Sequence, residues 1–361
     1  METRHRTYVG DAGEMAAVDD DAVELVVTSP PYPMIELWDQ QFAERSEGVA
    51  AALDEADGER AFEAMHDVLD PVWQEVKRVL APGGIAAVVV GDATRSLGGR
   101  FRVYPNHARV TEAFESLGFD PLPDVLWRKP TNGAAKFMGS GMVPPNAYVT
   151  LEHEYILLFR NGESSRSFEP NATRRYEAAY FWEERNRWFS DVWTDVGGAR
   201  QARDADRPSR ATDGSDQGSE QREVRDRTAA YPFEIPYRLV CMYSVYGDTV
   251  LDPFLGTGTT TLAAMVAGRN SVGYELDADV LAELDVRVET VPERSRRVTA
   301  DRLASHREFV AAERAEGTDF EYEATHYDVP VRTRQERDIR LRVVDDLRRT
   351  EEGYRLKHDP A

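Results

Sequence analysis

The chain has 361 residues, which is enough for one large α/β core with an inserted module or for two domains. No apolar run approaches the ~20 residues that span a bilayer, and the N-terminus lacks a signal-peptide profile, so we expect a cytoplasmic protein without a membrane partner. The single cysteine, Cys241, excludes an internal disulfide framework and a cysteine-based zinc cluster, and no metal site is predicted.

The charge is unusual: the net charge is −21, and only four of the 44 basic residues are lysines. Acidic, lysine-poor chains are typical of a high-salt cytosol, which indicates a halophilic archaeon. The alternative is an acidic mesophilic protein encoded by a genome of high GC content. At molar salt the Debye length is only ~3 Å, so the net charge does not exclude nucleic acid as a partner.

Hydrophobic periodicity predicts alternating strands and helices in the first half of the chain. The buried strand at 22–28 runs directly into the segment Ser29-Pro30-Pro31-Tyr32, and Ala81-Pro82-Gly83-Gly84 is predicted to stop a helix. In chain order, the predicted elements are a strand at 5–10, a strand at 22–28, a helix at 60–80, a strand at 85–90, a helix at 107–117, and strands near 125–127 and 155–159.

The character of the sequence changes after residue 161. Residues 174–193 interleave arginines with aromatic side chains, which we expect to belong more to the core than to a DNA-facing wedge. Residues 199–227 are nearly free of apolar side chains and are predicted to form a mobile loop. The elements predicted after it are a helix at 235–246, a strand at 249–251, a helix at 259–267, a strand at 271–274, and helical stretches of mixed charge with one strand at 327–332.

The segment Ser29-Pro30-Pro31-Tyr32 forms a rigid elbow after the buried strand. Two consecutive prolines fix the backbone and remove two N–H donors, so the preceding carbonyls are left as acceptors. The Ser29 hydroxyl and the Pro30 carbonyl can together accept hydrogen bonds from an amino group, while the Tyr32 ring can stack on a flat base. In isolation the segment would be typical of a proline-rich turn.

The segment Asp252-Pro253-Phe254-Leu255-Gly256-Thr257-Gly258 places two glycines where a strand turns into a helix. Glycine allows the backbone angles of such a turn and lets a ligand approach the main chain. No Gly-Lys-Ser/Thr follows, so the segment is not a P-loop. Glu275 ends the next predicted strand, where a carboxylate can accept both ribose hydroxyls, as in doubly wound folds.

Together the elbow and the glycine loop resemble the motifs of S-adenosylmethionine-dependent DNA aminomethyltransferases. Their order, with the elbow before the loop, resembles the permuted beta subgroup of that family. The resemblance implies an α/β fold: a doubly wound, Rossmann-like, circularly permuted sheet with an inserted target-recognition region and a C-terminal extension. It also implies S-adenosyl-L-methionine as the cofactor and double-stranded DNA as the partner.

The resemblance also implies roles for single residues. Ser29, Pro30, Pro31 and Tyr32 would be catalytic; Asp252, Phe254, Gly256 and Gly258 would line the methionine moiety of the cofactor, and Glu275 would hold the ribose. The family contacts adenine through an acidic residue after a further strand, which we assign to Asp11 at the opposite end of the chain. Tyr231 takes the place of a family aromatic residue and is predicted to cover the cofactor.

The resemblance divides the chain into four segments. Residues 1–160 would form the catalytic half with the adenine-contacting strand, and 161–230 the target-recognition region. Residues 231–290 would form the cofactor-binding half, and 291–361 a charged C-terminal extension. A cognate restriction endonuclease and a homodimer are left open as partners.

In this family, serine at the first elbow position is associated with cytosine N4 and aspartate with adenine N6. We therefore expect a site-specific, cytosine-N4-specific DNA methyltransferase, with adenine N6 as the alternative. Methylation at cytosine C5 would need a thiolate in a Pro-Cys context, which Cys241 lacks. The stretch from Ser29 to Asp39 and the charged C-terminus also resemble archaeal modification methylases that act on CTAG.

Two further alternatives come from other functional classes. RNA methyltransferases that act on exocyclic amines share the Pro-Pro-Tyr elbow, but they usually place the cofactor loop before it. A catalytically silent DNA-binding regulator on the same scaffold is disfavoured by the intact Ser29, Tyr32, Asp252 and Glu275.

Overall fold

A computed structural model describes residues 1–129, 143–197 and 231–361, together with the backbone of 138–139. The strands of this part of the chain are β1 (Glu2–Val9), β2 (Val23–Thr28), β3 (Leu80–Val90), β4 (Ala93–Leu97), β5 (Arg100–Tyr104), β6 (Phe119–Arg128), β7 (Met138–Gly139), β8 (Ala147–Tyr148), β9 (His153–Asn161), β10 (Val192–Trp193), β11 (Thr249–Asp252), β12 (Asn270–Glu275), β13 (Tyr322–Glu323), β14 (Pro330–Val331), β15 (Arg342–Thr350) and β16 (Gly353–Pro360).

The helices of the same residues differ widely in length. They are α1 (Asp39–Arg45), α2 (Glu47–Asp54), α3 (Gly58–Val79), α4 (Asn106–Ser116), α5 (Thr173–Glu177), α6 (Trp182–Trp188), α7 (Glu234–Tyr243), α8 (Thr259–Ala267), α9 (Ala278–Val288) and α10 (Val291–Ala315), with short 3-10 helices at Glu36–Trp38 and Arg334–Glu336. Each long helix that the sequence predicts before residue 290 is present, with bounds shifted by a few residues. None of the described helices is both long and apolar enough to cross a membrane.

One ten-stranded sheet organises the molecule, in the order β10–β6–β9–β3–β2–β11–β12–β1–β16–β15. The five central strands, β3, β2, β11, β12 and β1, run parallel to one another. Strand β9 runs antiparallel to β3, and β6 runs antiparallel to β9. The carboxyl ends of the five central strands therefore share one edge of the sheet with the start of β9 and the end of β6.

Two hydrophobic cores lie on opposite faces of this sheet. In β2, which has an irregularity between Val23 and Leu25, Val23 and Val26 belong to the core covered by α3 and α4. Leu25 and Val27 belong to the other core, which α7 and α8 cover. Strands buried on both faces are typical of parallel sheets between two helical layers, and the predicted doubly wound α/β fold is confirmed.

The N-terminal strand lies where a permuted order places it. β1 pairs with β12, which follows the glycine loop more than 200 residues later, so that Val9 lies opposite Glu275. A hydrogen bond from the Gly10 N–H to the Glu275 carbonyl, 2.9 Å long, continues this pairing beyond the strand. The two ends of the chain therefore meet within one sheet.

The segment Ala81-Pro82-Gly83-Gly84 differs from its prediction. Helix α3 ends at Val79 as expected, but β3 begins at Leu80 and contains the four residues. Gly83 has a φ of +75°, and a Cβ there would lie 2.6 Å from the backbone nitrogen of Arg166. The glycine is therefore needed at an irregular strand start that the sequence shows only as a break.

The last 70 residues contain more β structure than their charge pattern predicted. The strand expected at 327–332 is reduced to β14, and the hairpin β15–β16, which was not predicted, joins the main sheet through β1. In β16 buried Tyr354, Leu356 and His358 alternate with charged, exposed side chains. The division of the chain into four segments, with 291–361 as a charged C-terminal extension, stays a prediction.

The stretch 174–193, which interleaves arginines with aromatic side chains, contains most of α5 and all of α6 and β10. Phe181, Trp188 and Trp193 are buried, as expected of core aromatics. Arg174 and Arg187 form ion pairs with Asp248 and Asp195. The predicted mobile loop at 199–227 lies outside the described residues.

Candidate active site

The carboxyl edge of the central strands opens into one cavity of 990 Å³. Nine of the predicted site residues line it: Asp11, Ser29, Pro30, Pro31, Tyr32, Tyr231, Phe254, Gly256 and Glu275. Asp252 and Gly258 do not reach the cavity surface. The fold thus brings residues from positions 11–32 together with residues from positions 231–275.

The elbow sits at the end of β2, with its side chains linked to a neighbouring strand. The Ser29 Oγ lies 3.1 Å from the Tyr32 hydroxyl, which donates a 3.1 Å hydrogen bond to Glu154 Oε2 on β9. Lys129, just after β6, contacts the other Glu154 oxygen at 2.7 Å. Burial, and next the charge of Glu154, raise the pKa of Tyr32 well above its usual value, so Tyr32 is a neutral phenol.

Two residues outside the motif hold the elbow in place. The Asn106 side-chain amide, at the start of α4, donates to the carbonyls of Pro33 (3.1 Å) and Gly91 (2.9 Å), while its oxygen lies 3.0 Å from a ring nitrogen of His66. A Cβ at Gly91 would lie 3.1 Å from the Tyr32 ring and 3.3 Å from Glu154 Cγ. The absence of that Cβ allows Tyr32 and Glu154 to meet.

Asp252 is buried beneath the cavity and is occupied by protein donors. Its carboxylate accepts hydrogen bonds from Thr28 (2.6 Å), Thr260 (2.6 Å), the Phe254 N–H (3.1 Å) and the Tyr231 hydroxyl (3.3 Å). Burial raises the pKa of Asp252 to about 6, against the opposing effect of these donors. In this geometry Asp252 ties the glycine loop to the strand that carries the elbow.

The glycine loop is organised around Glu275. The Gly256 N–H donates to Glu275 Oε2 (2.8 Å), and the Asp277 N–H donates to Oε1 (3.0 Å). Gly256 has a φ of +54°, and Gly258 has a φ of +82° at the start of α8. A Cβ on Gly258 would lie 2.5 Å from Leu284, so this glycine is needed for packing against α9.

Asp11 lies just beyond β1, beside the end of β12. Its carboxylate accepts from the Gly13 N–H (2.9 Å) and from Arg45 of α1, and its side chain remains 47% exposed. The structure therefore brings Asp11 and Glu275 to one wall of the cavity, as the permuted order requires.

Tyr231 is the first described residue after the second gap and lines the same cavity. Its hydroxyl bonds to Thr260 and Asp252, and burial is the main cause that raises its pKa well above the usual value. The ring is thereby fixed over the junction between the elbow and the glycine loop.

Glu154 and Lys129 are residues of this site to which the sequence analysis assigned no role. The signal in the sequence was a pair of opposite charges. Lys129 follows the strand predicted near 125–127, and Glu154 precedes the strand predicted near 155–159. This signal could be used only with the knowledge that β9 runs antiparallel, because otherwise its start would lie at the far edge of the sheet.

Comparisons with known proteins identify the family to which a chain with this site belongs. The family profile described as DNA methylase, for N6 and N4 enzymes, matches residues 23–284. The chain belongs to the N6/N4 DNA methylase family. This methylase is 47% identical over 344 residues to the type II methyltransferase M.MthZI of Methanothermobacter thermautotrophicus, covering 94% of this chain and 91% of the relative. It is 48% identical over 286 residues to M.MjaI of Methanocaldococcus jannaschii, covering 76% and 88%.

Two solved structures of other proteins are similar in fold to this methylase. A DNA modification methylase of Thermus thermophilus, complexed with S-adenosyl-L-methionine, is 32% identical, with a TM-score of 0.57 and coverage of 81% of this chain and 95% of that one. The cytosine-N4-specific PvuII DNA methyltransferase has a TM-score of 0.52 at 17% identity, over 82% and 93% of the two chains. At that identity the likeness concerns the fold alone.

The cofactor of the methylase is S-adenosyl-L-methionine, and the cavity fits it. The glycine loop exposes main chain where no side chain intervenes, Glu275 presents a carboxylate, and Phe254 and Tyr231 present aromatic surface. When bound, the cofactor supplies an electrophilic methyl group for transfer to DNA. The protein's own contribution is to bind both substrates and to orient the accepting group.

Proposed function

We propose that this DNA methyltransferase is site-specific and methylates the exocyclic N4 of cytosine in duplex DNA. The observation that carries the proposal is the Ser29 hydroxyl at the cavity wall, hydrogen-bonded to the half-buried Tyr32 after the end of β2. A serine at this position, in place of aspartate, is associated with cytosine N4 in the family. Adenine N6 is the competing product of the same family.

The accepting amine is a weak nucleophile because its lone pair is delocalised into the base. Hydrogen bonds from both amine protons, to the Ser29 Oγ and the Pro30 carbonyl, would draw the nitrogen towards sp³ geometry. Holding both reactants in line can contribute ~7–11 kcal/mol. A base inside a duplex cannot enter such a cavity, so the target nucleotide must be flipped out of the stack.

The roles of the cofactor-binding residues are part of this proposal. Glu275 would accept the ribose hydroxyls, and Asp11 would contact the adenine amine from the same wall. Phe254 and Gly256 would lie along the methionine moiety, with Tyr231 above them. Asp252 and Gly258 would act through the loop, since neither lines the cavity.

We also propose CTAG as the recognition sequence, with 161–230 as the target-recognition region. Support comes from the resemblance of the extended elbow to archaeal CTAG modification methylases, and from two archaeal type II methyltransferases among the relatives. CTAG is a palindrome in which each strand offers one cytosine. A cognate restriction endonuclease and a homodimer remain proposed partners.

The product and the site can be tested together. Purified protein with S-adenosyl-L-methionine at molar KCl should produce N4-methylcytosine in a duplex containing CTAG, and little in a control duplex in which CTAG is replaced by CATG. Nucleoside mass spectrometry identifies the base, and methylation-aware sequencing locates it. N6-methyladenine as the sole product would refute the interpretation of Ser29, whereas N4-methylcytosine in another sequence would refute only CTAG.

A further inference from the structure

A chain of three hydrogen-bonded side chains runs along the wall of the cavity. It runs from Ser29 through Tyr32 to Glu154, with heavy-atom distances of 3.1 Å at both links. Lys129 ends the chain with a 2.7 Å ion pair to the second oxygen of Glu154. The side chains of Lys129 and Glu154 are 29% and 14% exposed, so the ion pair is largely shielded from water.

The chemistry of these groups fixes the direction of the chain. A carboxylate can only accept hydrogen bonds, so the single Tyr32 proton must be donated to Glu154. The Tyr32 oxygen can then only accept from Ser29, which uses the single proton of the serine hydroxyl. The remaining lone pairs of Ser29 Oγ are therefore available to accept from a group in the cavity.

We propose that Glu154, held by Lys129, is the positioning residue that makes Ser29 a hydrogen-bond acceptor and is the final acceptor of the proton released by the target amine. The proposal rests on an exocyclic amine as the methylated group. It does not depend on whether that amine belongs to cytosine or adenine.

The proton balance of the step is complete within these residues. As the new N–C bond forms and the methyl–sulfur bond breaks, the amine nitrogen becomes positively charged and must lose one proton. That proton passes to Ser29 Oγ while the serine proton passes to Tyr32 and the tyrosine proton to Glu154. Serine and tyrosine are again neutral, and the Glu154 carboxyl later releases the proton to solvent.

Two other described carboxylates near the elbow, Asp92 and Asp252, are already occupied by protein donors. Asp92 accepts from the His107 N–H (3.1 Å) and lies 2.8 Å from the His107 ring nitrogen, so it caps α4. Asp252 holds its four donors beneath the cavity. The titratable groups near Glu154 are Tyr32 on the elbow, Lys129 after β6, the ion pair Arg128–Glu152, His153 and Tyr155 on β9, His107 of α4 stacked on Tyr155, and Asp92 after β3, which contacts His107.

The test compares the pH dependence of single-turnover methyl transfer in three variants. Glu154→Gln keeps the shape of the side chain, but its amide can donate to Tyr32 and reverse the chain. We expect its rate of methyl transfer to fall by roughly 100-fold or more, the scale of lost acid–base catalysis. The decrease in rate that we expect for the wild type at acidic pH should be absent in this variant. Lys129→Met should keep that decline but move it to higher pH, because Glu154 loses its cation.

Asp120→Asn is the matched control. Asp120 also pairs with a cation: its carboxylate lies 2.7 Å from Arg160, which is at the opposite end of β9 from Glu154. Because Asp120 is not part of the hydrogen-bonded chain, the same change of charge there should leave the rate and its pH profile as in the wild type. A Glu154→Gln rate within two-fold of wild type, with the acidic decline retained, would overturn the proposal.

Two further readouts separate this proposal from a loss of folding or of the proposed function. Cofactor affinity and thermal unfolding of each variant report on structure, and if Glu154→Gln does not fold, an unshifted profile in Lys129→Met overturns the proposal. The base methylated by the wild type is read separately. A wild-type product of N6-methyladenine would refute the cytosine assignment while leaving the proton path to be judged on the variant profiles.

Discussion

Ser29 and Glu275 lie in the same cavity but have different structural partners. Among the described residues, the Ser29 side chain forms a hydrogen bond with Tyr32 alone. The Glu275 carboxylate accepts from the main-chain N–H of Gly256 in the glycine loop and from that of Asp277 after β12. Loss of the serine hydroxyl should therefore leave the loop intact. Loss of the Glu275 carboxylate removes a proposed ligand contact and loosens the loop at the same time.

The resulting prediction separates methyl transfer from cofactor binding. Ser29→Ala should abolish transfer while the cofactor dissociation constant stays within a few-fold of wild type. Glu275→Ala should weaken cofactor binding by ~1–3 kcal/mol, the cost of a lost charged hydrogen-bond partner. Titration calorimetry on the two purified variants measures both effects. Loss of cofactor binding in Ser29→Ala would contradict the assignment of the elbow to the target base.

The same residues show how far sequence reasoning reached at this scale. Ser29, Tyr32 and Glu275 were predicted to share a site because the two motifs together resemble those of DNA aminomethyltransferases. In the fold each of them ends or follows a buried strand at one edge of the sheet. Asp252 also ends a buried strand at this edge but points beneath the cavity, because Thr28 and Thr260 are there to receive its carboxylate. Glu154 could not be found, since its place depends on antiparallel pairing between β3 and β9.

Among the secondary-structure elements, the junction of β1 with β16 and β12 is held by buried histidines. His5 and His358 both lie 2.9 Å from the Thr3 hydroxyl, and His5 also lies 2.8 Å from the Ser271 hydroxyl. Burial is the main cause that lowers the pKa of His5 to about 3 and that of His358 to about 4. Folding keeps both rings neutral where the unfolded chain would protonate them.

This burial predicts a loss of stability in acid. The pKa values of both histidines in the folded protein lie below the usual 6.5. Their contribution to the free energy of unfolding is therefore fully present above pH 6.5 and is lost as the pH falls towards 4. Each histidine should contribute a slope of about 1.4 kcal/mol per pH unit within that window. His358→Gln should reduce the slope of the unfolding free energy by one proton, measured in urea between pH 7 and 5. His326→Gln is the control, because His326 is exposed; equal slopes in both variants would disprove the prediction.

The hairpin β15–β16 also shows why some elements escaped prediction. The placement of Asp11 beside Glu275 followed from the reversed order of the motifs, which requires the first strand to join the cofactor half. Nothing comparable marks β16, where charged residues alternate with three buried ones and the run is polar on average. Its burial comes from pairing with β1, a contact between the two ends of the chain.

For the whole molecule the net charge of −21 dominates the response to salt. Ion pairs such as Arg95–Asp39 (2.6 Å) and Arg302–Glu184 (2.6 Å) use some of the carboxylates. The excess of acids still repels itself in the compact state. Raising the salt concentration to the molar range shortens the Debye length to ~3 Å and screens this repulsion.

We therefore expect opposite effects of KCl on folding and on DNA affinity. The thermal midpoint should rise between 0.1 and 2 M KCl, while the affinity for a CTAG duplex falls, because phosphate contacts release counterions. Calorimetry and fluorescence anisotropy measure the two trends. Removing two exposed charges in the β15–β16 turn, by Glu351→Gln and Glu352→Gln, should raise the midpoint at low salt more than at high salt. A midpoint independent of KCl would rule out repulsion among carboxylates as a limit on stability, and with it the high-salt interpretation of the composition.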